Sequence, residues 1–304
     1  MSNLTVSLSP HVRSENSTQK IMFSVCIALI PALVFAVYWF GWTVLLTVAL
    51  SMAAAIGSEA LMQKILKRPI TVNDGSAAVT GLLLAMTLPA GCPWYVPVLG
   101  SVFAIVIAKQ VFGGLGDNFV NPALAGRAFL LASFPAAMTS FKPVADAVTG
   151  ATPLSSEFAG QVDYLQAFLG QIGGSIGEVS KLALLIGAAF LLIKGIIDWR
   201  IPVTYLGTMM LLNLIFGKPV LDAVLLGGTV LGAFFMATDY VTSPVPAWGR
   251  VIYGVGIGVI NFAIRTWGAY PEGVTYAILL MNIATPLIER VTRPRKYGEV
   301  KRHA

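Results

Sequence analysis

The sequence predicts an all-α polytopic membrane protein: about ten transmembrane helices in two five-helix halves forming an inverted repeat, with short or broken helices and one long extracytoplasmic loop. Three observations carry this. Of 304 residues, 56% are hydrophobic and only 11% charged, with a mean hydropathy of +0.78, too few charges to cover a water-soluble domain. The apolar residues fall in blocks of near-membrane length, parted by glycine, proline and cationic breaks. Corresponding blocks in the two halves carry similar interruptions.

Residues 1–20 are polar, carry His11, Arg13 and Lys20, and lack a signal-peptide cleavage site, so they read as a retained cytoplasmic tail. Blocks 21–40 and 42–62 are each long enough to cross as helix. Only Gly41 separates them, with Tyr38, Trp39 and Trp42 as an aromatic belt, which makes a tight hairpin. Block 76–88 is short for a crossing, with Asn73 or Asp74 in place to cap it. After the proline-rich interfacial break at 89–95, block 96–112 ends at Gly113-Gly-Leu-Gly-Asp-Asn118. Asn121-Pro122 then starts a helix that runs through Arg127 to about residue 134, closing a first membrane half of residues 21–134.

Blocks 182–197, 203–216, 220–237, 251–267 and 274–288 form a second half within residues 181–289, and 290–304 are a basic cytoplasmic tail. The halves echo one another. Gly81, Met86, Thr87 and Pro89 recur in order as Gly232, Met236, Thr238 and Pro244, and each set is followed by a glycine-bearing span with a late cation, Lys109 or Arg265. Asn121-Pro122 is matched by Asn282 and Pro286. Such paired interruptions point to a site at the repeat interface.

Charges inside apolar blocks are costly and therefore functional suspects. Glu59, Lys109, Arg127, Asp222, Asp239, Arg250 and Arg265 qualify. Lys109, Arg250 and Arg265 lie near block ends and read as snorkelling to the interface. Arg127 lies about two turns into its helix, where a guanidinium can neutralise a buried negative charge or pair with a carboxylate. Asp239 sits at a helix break, where irregular backbone is tolerated only along a cavity, and is the ion-pathway candidate. Cys26 and Cys92 have no metal-ligand spacing and read as small buried residues. No metal site, no catalytic residue, no dinucleotide fingerprint and no nucleic-acid partner is expected.

The longest break, residues 135–180, carries Lys142 against Asp146, Glu157, Asp163 and Glu178, one plus and four minus for a net of −3. Most other loop cations fall on the opposite side of the membrane, so this loop faces outward and both termini face the cytoplasm. A turn would suffice to join two helices, so a loop of this length points to a task. Within it, Thr149, Thr152, Ser155 and Ser156 are crowded, Gly150 and Ala151 leave Thr152 open, and Pro153 biases Thr152 toward extended backbone. An ordinary Ser/Thr-rich turn has the same composition.

Asp146-Ala-Val-Thr149-Gly150-Ala151-Thr152 resembles the flavinylation motif in which a flavin transferase joins the phosphate of FMN to the last hydroxyl residue, here Thr152. Several further runs, from Ala85-Met-Thr-Leu-Pro89 through Asn121-Pro-Ala-Leu-Ala-Gly-Arg127 to Phe234-Phe-Met-Ala-Thr-Asp239, are similar to the RnfD family, the D component of the Rnf electron-transport complex. That family is related to NqrB, the B component of the sodium-translocating NADH:quinone reductases. The resemblance implies a bacterial or archaeal inner-membrane protein with covalent FMN on Thr152 and a noncovalent riboflavin. It implies electron relay coupled to Na⁺ or H⁺ transport, the other Rnf components (A, B, C, E and G) as partners, and a maturing flavin transferase. Asn118 and Asn121 match the family's riboflavin-contacting asparagines, although a loop turn and a helix cap would use the same residues equally well. Two other classes stay open from the sequence: a small-solute channel of urea-channel-like architecture, suggested by the repeat, and a purely structural member of a larger complex.

Overall fold

A computed structural model describes residues 17–140, 164–170, 174–268 and 273–294, and every regular element among them is helical. The first half comprises α1 (Thr18–Phe40), α2 (Thr43–Ile65), α3 (Ser76–Met86), α4 (Tyr95–Phe103) and α5 (Pro122–Ser133), with the short α6 (Pro135–Thr139) after it. The second begins with α7 (Tyr164–Leu169) and continues through α8 (Lys181–Ile193), α9 (Arg200–Ile215), α10 (Asp222–Leu225), α11 (Thr229–Leu231), α12 (Ala247–Trp267) and α13 (Val274–Thr292). Among the described residues, only α1, α2, α12 and α13 are long and apolar enough to cross a membrane by length and composition. The described chain is a helical polytopic membrane protein.

Local chemistry sets the ends of these helices. The Ser17 hydroxyl accepts from the Lys20 amide to open α1, and Gly41, at φ +83°, makes the turn into α2. Gly75 holds the N-cap position of α3 at φ +79°, and Asp74 before it accepts from the amide and hydroxyl of Ser76, the first residue of the helix. Asn121 caps α5 by accepting from the amides of Ala123 and Leu124, with Pro122 in the first turn.

Two helices leave α-geometry. The helix begun by α4 continues as a π-helix over Ala104–Gln110, and α11 continues as one over Gly232–Met236. π-Segments widen the helix and release backbone groups, and they recur at functional sites. Block 220–237, expected as one span, is broken instead. Gly227 turns at φ +67°, and a side chain at Gly228 would lie 2.8 Å from the Glu178 carboxylate that presses on this backbone.

Packing follows from small residues, because lipid gives helices no hydrophobic reason to associate. Gly187 of α8 lies against the carbonyl of Ala28 on α1, and Gly254 and Gly258 of α12 seat Thr204 and Thr208 of α9. Polar pairs pin the second half: Asn261 donates to the Tyr205 hydroxyl at 2.7 Å, and Tyr253 donates to Asn282 at 2.5 Å. Asn282 thus works mid-helix, unlike its sequence echo Asn121, which works as a cap. Residues 174–180, counted by sequence with the outward loop, are buried against the end of α3, where the Ile176 amide donates to the Leu88 carbonyl.

Candidate functional site

The two π-segments meet at one interior cavity of about 90 Å³. Its polar lining is Ser76, Thr80, Lys109, Asn118, Asn121, Thr238 and Asp239; its apolar walls include Val25, Leu83, Ile197, Phe234 and Phe235. Four of the residues singled out in the sequence, Lys109, Asn118, Asn121 and Asp239, are therefore brought together. The glycines of the break bring two of them there. Gly113, Gly114 and Gly116 all adopt positive φ, and Arg68 donates to the Gly113 carbonyl at 2.6 Å, folding the chain back so that Asn118 and Asn121 point inward.

Each side chain has defined partners. Asn118 donates to the Val120 carbonyl at 3.1 Å. Asn121, beyond capping α5, donates from Nδ2 to the Met236 carbonyl at 3.2 Å, tying the first half to the second half's π-segment. The capping role weighed in the sequence is therefore present, and it spends most of the amide's capacity. Asp239 accepts from the Thr242 hydroxyl at 3.1 Å, and the Thr238 hydroxyl turns back onto the Phe234 carbonyl. Lys109 and Asp239 line the same cavity.

Lys109 corrects the sequence reading. It does not snorkel: it is 1% exposed, with Nζ 2.7 Å from Oε1 of Glu59, itself 1% exposed, and 2.6 Å from the Ser76 hydroxyl. Gln110 donates to the same Glu59 oxygen at 2.7 Å. Glu59 and Lys109 stand 50 positions apart in the chain, so no local pattern announces the pair. Arg265, part-buried near the end of α12, donates to the Leu226 carbonyl and to the Thr229 hydroxyl. Arg250 pairs with Asp198 at 2.5 Å in the segment between α8 and α9. Burial pushes the Asp198 carboxyl up, but the Arg200 amide and the Arg250 guanidinium outweigh it and hold the group below its ordinary value.

Arg127 does not line the cavity. It faces the buried Glu178 at 3.9 Å, while Lys181 donates to the Glu178 backbone carbonyl. Of the two roles available to it in the sequence, this is pairing with a carboxylate. Removing one member of a buried pair strands the other, at about 3 to 5 kcal/mol. Arg127→Met is therefore expected to lower the detergent-solubilised protein's melting temperature clearly. Adding Glu178→Gln is expected to restore most of the loss, and a double variant no more stable than the single one would count against the pairing. Asp146, Thr149, Gly150, Ala151 and Thr152 lie outside the described residues.

A helical bundle with a small, charge-lined cavity between two π-segments defines an integral-membrane protein with a polar site in its interior. The chain belongs to the NQR2, RnfD, RnfE family, whose family model matches residues 5–298. It is 55% identical over 307 residues to the D subunit of the Na⁺-translocating ferredoxin:NAD⁺ oxidoreductase complex of Acetobacterium woodii, covering 98% of this chain and 96% of that one. It is 46% identical over 318 residues to the D subunit of the proton-translocating ferredoxin:NAD⁺ oxidoreductase complex of Clostridium ljungdahlii, covering 97% and 96%. With the D subunit of the ion-translocating oxidoreductase complex of Stutzerimonas stutzeri, identity is 39% over 329 residues and coverage 93% of each chain.

Proposed function

We propose that this chain is the membrane-embedded D component of an ion-translocating ferredoxin:NAD⁺ oxidoreductase complex of the inner membrane, acting as a flavin-bearing electron relay coupled to Na⁺ or H⁺ transport. Near full-length likeness to proteins so named supports the assignment. Those two relatives differ in the ion their names carry. The partners are then the other components, A, B, C, E and G, and a flavin transferase that matures the chain.

The observation that carries the redox reading is the run Asp146 to Thr152 within a chain of this family. Thr152 carries a secondary alcohol behind two small residues in the sequence, the acceptor a phosphoester bond to FMN requires. The second flavin, riboflavin, is read into the cavity. A flavin, when bound, supplies one- and two-electron chemistry, and the protein supplies position and electrostatics.

The donor set fits such a ring. Asp239, the threonine hydroxyls and Asn118 offer acceptors and donors to a heteroaromatic edge, Lys109 offers a cation, and Phe234, Phe235, Leu83 and Ile197 offer apolar faces. The cavity is small by itself, but it shares Ile21 and Ile196 with a larger groove of about 550 Å³ that carries Lys20 and Lys194.

Ten crossings in two inverted halves complete the reading, with both termini cytoplasmic and residues 135–180 outside. Matching contacts in the two halves support it: a cation late in one span, Lys109 or Arg265, grips the hydroxyl that opens a short helix, Ser76 of α3 or Thr229 of α11. The deciding experiment is the mass of the peptide containing Thr152, in protein purified from its own host. The expected mass is peptide plus FMN less one water. A bare threonine in an intact, active complex would remove the reading's main support.

A further inference from the structure

We propose that Lys109 is a positioning residue for the redox group of the cavity. Its ammonium, shared with Glu59, sets how readily that group accepts negative charge. The inference rests on the reading of the cavity as a riboflavin site.

The geometry places Lys109 between two environments. On one side lies Glu59, which is outside the cavity lining; on the other is the cavity itself, which Asp239 also lines. Two of the three N–H donors of the ammonium are taken by Glu59 and Ser76, which leaves the third for the cavity it lines. No water of bulk solvent screens the charge, because both members of the pair are almost fully buried, and electrostatic effects are larger there than at a surface.

The surroundings hold the ammonium in that place. It hangs from the π-segment, and it approaches the N-terminus of α3, the end whose helix dipole repels cations. The Ser76 hydroxyl and the Asp74 carboxylate behind it offset that repulsion. A cation buried at this cost and lining a cavity is a functional group by default. Arg127, the cation singled out from the sequence for this role, is turned away toward Glu178.

An electron added to the ring brings negative charge beside Lys109, which favours it; Glu59 opposes the same change. The two members of one ion pair must therefore move the flavin's midpoint potential in opposite directions. A residue that only holds the fold together has no reason to do so.

The test uses the full chain carrying Thr152→Val, so that no flavin is tethered there, purified from its host membranes. Extractable flavin is quantified after denaturation, and its midpoint potential is titrated before. Lys109→Met is expected to retain the flavin and shift the midpoint to more negative values. Glu59→Gln is expected to shift it to more positive values, Lys109→Arg to hold it near wild type, and the Met/Gln double variant to return toward wild type. Retained flavin with both midpoints unmoved, or moved in the same direction, overturns the inference and leaves the cavity reading standing. If Lys109→Met does not accumulate, an unmoved or more negative midpoint in Glu59→Gln overturns it alone. No extractable flavin from the parent chain removes the cavity reading, and this inference with it.

Discussion

Gly187→Leu is expected to abolish accumulation of folded protein in the membrane, whereas Gly207→Leu, the same change one helix later, is expected to be tolerated. A side chain at Gly187 would be driven into the carbonyl of Ala28, and its nearest neighbours are backbone atoms of α1 that no rotamer change moves aside. Overpacking a core by a methylene or two costs about 1 to 3 kcal/mol where side chains yield; here two helices must separate. The ring of Phe235 sits 3.3 Å from the same point, so displacement also reaches the wall of the cavity. Around Gly207, by contrast, there is nothing within 4 Å. Fluorescence-detected size exclusion of the two variants settles it, and equal recovery of both would show that α1 and α8 do not pack through Gly187.

Thr152→Val is expected to eliminate covalent flavin from the chain while leaving the membrane bundle intact. Valine matches threonine in shape and β-branching, so backbone preference is kept and only the hydroxyl, the acceptor of the phosphoester, is lost. Under ultraviolet light a denaturing gel band of wild-type protein made with its transferase should fluoresce, and the variant band should not. Thr149→Val, which leaves the Thr152 hydroxyl in place, tests whether the acceptor is Thr152 or its neighbour: fluorescence lost only in Thr149→Val would move the attachment.

Much of the helical layout was legible because hydropathy and caps are local signals. Gly41, Asp74 and Asn121 act where the sequence puts them, since a turn or a cap needs only residues within a few positions. Contacts across the bundle were not legible. Read singly, Lys109 looks like a cation near a helix end, and only its distant partner Glu59 shows why it stays inside. Arg127 was marked correctly as costly, but its partner Glu178 belongs to a segment that hydropathy assigns to a polar loop. The break at Gly227 was hidden because an apolar run reads alike whether continuous or interrupted, and the Glu178 carboxylate packed beside Gly228 comes from another segment.

The hydrogen bond from Asn121 to the Met236 carbonyl bears on how the chain is assembled. Together with the Ala28–Gly187 packing, it joins the two halves by contacts that owe nothing to the peptide linking them. A site-specific protease cut engineered between Ser140 and Tyr164 should therefore yield two fragments that travel through purification as a single particle and come apart only in denaturant.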